Sequence, residues 1–88
     1  MNEKIIKLCN SALFSCQGFL TKEEFYDVYE YINEYDEWGI GIEVLIDYLS
    51  ERESKIDQVQ YDAIYLALDK MGLSSGDRAE VLKQLLLK

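Results

Sequence analysis

The chain has 88 residues, room for one domain and no separate catalytic unit. With 17 acidic residues against nine basic ones and no histidine, it carries a net charge of −8, which opposes direct nucleic-acid binding and removes histidine-based catalysis and the common zinc sites. Apolar residues make up 49% of the chain, so the excess charge belongs to a folded domain rather than to a disordered acidic tail.

Absence of proline, few glycines and recurrent i, i+3, i+4, i+7 apolar spacing predict an all-α fold. The expected architecture is a compact bundle of four to five short helices over residues 1–88, a leading helix followed by two helical hairpins. The first helix is predicted from Asn2 to Gln17, with Ile5, Leu8, Cys9, Ala12, Leu13 and Cys16 inward and Gly18 as a left-handed stop. Glu3, Lys4 and Lys7 interrupt its apolar positions, which argues against a secretory signal. Cys9 and Cys16 stand seven positions apart, roughly 10 Å along a helix, too far for a disulfide. They are expected to be buried free thiols of a reducing compartment, which points to the cytoplasm.

The second helix starts at a capping box, Thr21 with Glu24, with Leu20 and Phe25 placed for a hydrophobic staple. Phe25, Val28, Tyr29 and Ile32 form its inward stripe. The connector Tyr35-Asp36-Glu37-Trp38-Gly39 follows, and Gly39 and Gly41 are expected to permit the turn and a close start of helix three. Ile42, Leu45, Ile46 and Leu49 point inward on that helix. The pattern then recurs 36 positions later: Asp57 with Gln60 repeats the capping box, Tyr61, Ile64, Tyr65 and Leu68 repeat the stripe, and Val81, Leu82 and Leu85 match Leu45, Ile46 and Leu49. Gly72 is the predicted end of the fourth helix, Ser74 and Ser75 the predicted caps of the last. The hairpins are therefore expected at 21–53 and 57–88.

Charge is distributed unevenly between them. Residues 22–53 hold eleven carboxylates against Lys22 and Arg52, while the rest of the chain is close to neutral. On helix two, Glu23, Asp27, Glu30 and Glu34 fall opposite the apolar stripe, with Tyr26 and Tyr31 beside them. On helix three, Glu43, Asp47 and Glu51 share one edge. A solvated outer face would also be charged, but four like-charge i, i+4 pairs here each cost about 0.2–0.5 kcal/mol, which suggests a use outside the fold. The predicted partner-binding residues are Glu23, Asp27, Glu30, Tyr31, Glu34, Tyr35, Asp36, Glu37, Trp38, Glu43 and Asp47. Opposite potential would steer a basic partner and the aromatic residues would anchor it. Trp38 fits two roles, a core plug closing the hairpin or an exposed anchor.

No enzymatic activity, metal or cofactor is expected. Neither Gly39 nor Gly41 at the sixth position gives a calcium-binding loop, because Trp38, Ile40 and Leu45 fall on ligand positions. No glycine-rich phosphate loop is present. A carrier domain would need a modifiable serine at a helix start, usually in Asp-Ser-Leu, which the chain lacks.

The stretch from Tyr31 to Leu45, together with Ile56-Asp57-Gln58-Val59-Gln60-Tyr61, resembles the small MafI-type immunity proteins of bacterial polymorphic-toxin and contact-dependent growth inhibition systems. The matching positions are Glu37, the aromatic Trp38, Gly39, the small Gly41, Ile42, Glu43 and Leu45. Alanine is commoner at the position of Gly41. The resemblance implies a cytoplasmic antidote that binds the C-terminal toxin domain of an effector, commonly a nuclease acting on RNA. A monomer in a 1:1 complex is the favoured expectation, with no membrane contact, since every apolar run is far short of a bilayer span, and no direct nucleic-acid contact, given the sign of the charge. The competing expectation is an acidic helical adaptor or secretion-chaperone module. Mimicry of a nucleic-acid backbone ranks below both, since two short helices match few phosphates.

Overall fold

A computed structural model describes residues 3–87 of the chain, and it is all-helical: α1 (Glu3–Ser15), a 3₁₀ turn (Gln17–Phe19), α2 (Lys22–Asn33), α3 (Trp38–Glu51), α4 (Gln58–Lys70) and α5 (Asp77–Leu85). The predicted helix start at Asn2 lies outside the described residues. Both capping boxes form. Thr21 Oγ1 accepts from the Glu24 amide at 3.1 Å while Glu24 Oε1 accepts from the Thr21 amide at 2.9 Å. Asp57 and Gln60 do the same at 2.8 and 2.9 Å.

Gln60 also donates Nε2 to the Ser15 carbonyl at 2.9 Å, tying the start of α4 to an otherwise orphaned carbonyl at the end of α1. This second bond separates glutamine from glutamate at a position where a capping box accepts either. Gln60→Glu is expected to keep the box and still cost about 1–2 kcal/mol, because it removes a donor and sets a carboxylate against a carbonyl. Urea denaturation of the variant beside the parent measures it.

The repeat at 36 positions reaches the helix ends. Asp36, after α2, has φ 54° and Gly72, after α4, has φ 75°. At Gly72 the Leu73 amide bonds the Leu68 carbonyl at 2.8 Å and the Gly72 amide bonds Asp69 at 3.1 Å, a Schellman motif. The end of α3 has the same motif with Glu53, φ 52°, at the left-handed position, Ser54 bonding Leu49 and Glu53 bonding Ser50, both at 3.0 Å. Gly18 does not supply the expected left-handed stop. It sits inside the 3₁₀ turn, and α1 ends instead by tightening, with the Cys16 amide on the Leu13 carbonyl at 3.1 Å. The serine caps expected for α5 are also absent: Gly76 is its N-cap without a side-chain bond, and Ser74 donates to Asp69 at 3.2 Å.

α3 is the central element, packed against α1, α2, α4 and α5. Its Ile42, Leu45, Ile46 and Leu49 are fully buried, together with Leu13, Val28, Ile32, Ile64, Leu68 and Leu82. Cys9 and Cys16 are buried free thiols, and burial pushes the Cys9 thiol up to about 12, far from a reactive thiolate. Asn10 and Asn33 exchange two amide hydrogen bonds at 2.9 Å and fasten α1 to α2.

The first expected hairpin, α2 with α3, is an antiparallel pair. The second is not a close pair: α4 packs mainly on α1, and α5 mainly on α3. Two contacts explain where α5 goes. Arg78 holds Asp47 of α3 through two bonds, and the chain after α5 forms a parallel bridge between Leu86 and the fully buried Ile56. Tyr65 departs from the expected inward stripe. It is 39% exposed and stacks on Tyr61 at 5.9 Å, while Ile64, Ala67 and Leu68 are the buried residues of α4.

Candidate partner-binding surface

The antiparallel register of α2 and α3 decides which acidic side chains are available. Glu24 meets Arg52, Asp27 meets Tyr48, and Tyr31 meets Gly41. Arg52 bonds Glu24 at 2.9 Å and the Phe19 carbonyl at 2.9 Å, so one of the two cations of this region is engaged within the fold. Tyr48 donates its hydroxyl to Asp27 Oδ2 at 2.6 Å. The partner of Asp27 is therefore a neutral hydroxyl rather than a cation.

That hydrogen bond, with burial and the charges of Asp27, Glu24 and Glu51, pushes the Tyr48 hydroxyl from 10.0 up to about 12. Because the folded value is raised, the bond's contribution to stability is complete below pH 10.0 and is lost as pH rises through about 12. In an ultraviolet titration of the seven tyrosines, one phenolate is expected to form late, and Tyr48→Phe to remove that late phase.

Glu23, Glu30 and Glu34 line the outer side of α2 and run into the turn Glu34–Glu37. Glu34, Tyr35, Asp36 and Glu37 are all exposed, Tyr35 by 56%, with its ring edge-on to Tyr31 at 6.1 Å. Among the described residues, Glu23, Asp27, Glu30, Glu34, Asp36 and Glu37 form no salt bridge.

The remaining predicted residues lie elsewhere. Asp47 points to α5, where it takes Arg78 at 2.8 and 3.1 Å, and Glu43 lies on the same flank, adding to the field that raises the Arg78 guanidinium. The acidic edges of α2 and α3 therefore do not merge into one face. Tyr48 faces α2 and Asp47 faces α5. Trp38 is half-buried against the core, and its indole N–H is buried without a partner among the described residues. Of its two expected roles, the core plug matches this position.

Between α2 and α3 an open groove of about 690 Å³ is lined by Lys22, Glu23, Glu24, Tyr26, Asp27, Glu30 and Tyr48. Tyr26, Tyr48 and Glu24 were not among the predicted contacts. Antiparallel pairing of α2 with α3 was the signal available for Tyr48, since it sets residue 48 opposite residue 27. Among the described residues no group of histidine, cysteine or carboxylate side chains is arranged to hold a metal ion, and no helix is long and apolar enough to cross a membrane. No protein-family model, no curated protein and no solved structure matches this chain.

Proposed function

We propose that this protein is an immunity protein, a bacterial cytoplasmic antidote that binds and neutralises the basic C-terminal toxin domain, a nuclease acting on RNA, of a contact-dependent or polymorphic toxin. The observation that carries this reading is the set of six carboxylates, Glu23, Asp27, Glu30, Glu34, Asp36 and Glu37, without a salt-bridge partner among the described residues, beside the exposed Tyr26 and Tyr35. A nuclease holds phosphates on a basic surface. A protein that presents unpaired carboxylates to that surface gains fast, charge-steered association, and exposed tyrosines supply the apolar contact that slows dissociation. The motif from Glu37 to Leu45 that resembles MafI-type proteins supports the same function. The antidote works by occupying its partner, without chemistry of its own.

Co-expression with the polypeptide encoded immediately upstream tests the proposal. Growth rescue and co-purification as a 1:1 complex are the expected results. Failure to rescue and to bind, with binding of several unfolded segments instead, would favour a secretion chaperone.

A further inference from the structure

The groove between α2 and α3 adjoins a second hollow of about 380 Å³ lined by Gln17, Leu20, Thr21, Lys22, Phe25 and Tyr26. Lys22 and Tyr26 line both, so they form the ridge between a cavity lined by four carboxylates and one lined by none. Tyr26 is 53% exposed yet held in place, edge-on to Phe25 at 5.7 Å and to Tyr29 at 6.5 Å. An exposed ring fixed in this way offers its face to a partner with little further ordering, as anchors of protein interfaces do. Across the groove Tyr48 forms a second aromatic wall, fixed by its bond to Asp27. Glu24 is engaged by Arg52, which leaves Glu23, Asp27 and Glu30 against the single ammonium of Lys22.

We propose that this groove receives an arginine side chain of the basic partner, its guanidinium stacked on Tyr26 and hydrogen-bonded to Asp27 and Glu30, with an apolar neighbour of that arginine seated between Leu20 and Phe25. Charge complementarity fixes the sign of the occupant, and the aromatic walls select arginine over lysine. A guanidinium is planar, weakly hydrated and able to stack while it bonds carboxylates, whereas an ammonium is a compact, strongly hydrated charge. The inference rests on the reading of the protein as a binder of a basic protein and adds the residue type that enters the groove.

The probe is N-acetyl-arginine amide, titrated into the isotope-labelled full chain and followed by amide chemical shifts, with the lysine and citrulline analogues alongside. Saturable shifts at Tyr26, Asp27, Glu30 and Tyr48 are expected from arginine, weaker ones from lysine and none from neutral citrulline. Tyr26→Phe keeps the affinity, Tyr26→Leu lowers it about fivefold by removing the π-face while retaining apolar bulk, and Lys22→Ala raises it. Equal shifts from citrulline, shifts confined to the Glu34–Glu37 turn, or an unchanged affinity in Tyr26→Leu would overturn the assignment. The two readings fail separately. Arginine binding here without toxin neutralisation overturns the toxin alone, whereas an unchanged toxin dissociation rate in Tyr26→Leu overturns the groove alone.

Discussion

Gly41→Val is expected to destabilise the domain by about 2–3 kcal/mol, because it overpacks the seam between α2 and α3. A β-carbon at this position would lie 2.9 Å from Ile32 Cγ1, 3.1 Å from Tyr31 Cβ and 3.5 Å from the Val28 carbonyl. None of these neighbours yields easily. Ile32 is fully buried and β-branched, and the Tyr31 β-carbon moves only with the backbone of α2. Valine adds two methyl groups to that collision, and its better helix propensity, worth a few tenths of a kcal/mol over glycine, offsets little. For a domain of this size the loss corresponds to a fall in Tm of roughly 10–20 °C. Gly39→Ala is the control. There an added β-carbon meets only Leu73 Cδ1 at 3.5 Å, an ordinary contact, so the same helix gains rather than loses a little stability. Thermal denaturation followed by circular dichroism separates the two. A Gly41→Val protein as stable as the parent would mean that α2 and α3 do not cross where the structure has them.

The second large effect concerns association. Replacing Glu30, Glu34 and Glu37 with lysine, together with Asp36→Asn, moves the net charge from −8 to −1. Asparagine is chosen at position 36 because the backbone there has φ 54°, which asparagine tolerates. The variant is expected to associate with the proposed toxin partner about a hundredfold more slowly at low salt, within the range of charge-steered encounter. It is also expected to be as stable as the parent or slightly more so. Lysines at the C-terminal end of α2, which has no basic residue in its last turn, suit the helix dipole and lower the excess negative charge, and no salt bridge among the described residues is lost by the exchange. Equal or greater stability with weaker binding is the signature of charges kept for a partner. A solvated face without a partner would show the gain in stability alone.

Local patterns carried over from sequence to structure better than contacts between helices did. Thr21 with Glu24 and Asp57 with Gln60 are legible because a capping box needs only a three-residue spacing, and Gly72 because glycine marks the left-handed position it occupies. Asp36 and Glu53 take the same backbone conformation without glycine, so composition gave no sign of them. The docking of α5 on α3 depends on Arg78 reaching Asp47, 31 positions away, and on the tail returning to Ile56, neither of which helical periodicity encodes. The same blindness affects the candidate surface. A helical wheel puts Asp27 and Asp47 on outer stripes, yet one accepts the Tyr48 hydroxyl and the other holds Arg78. What stands free is the outer side of α2 with its turn, a narrower surface than the sequence outlined. Tyr26 was visible in sequence only as a neighbour of that stripe, and its place on the ridge between two cavities emerges once the 3₁₀ turn, α2 and α3 are packed together.

The most direct measurement of the central claim is the association rate constant of the unaltered protein with the proposed toxin partner, by stopped flow, as salt rises from roughly 0.02 to 0.5 M. The unpaired carboxylates from Glu23 to Glu37 predict a fall of at least about tenfold in the association rate with a much smaller change in dissociation. An association rate independent of salt would contradict the account.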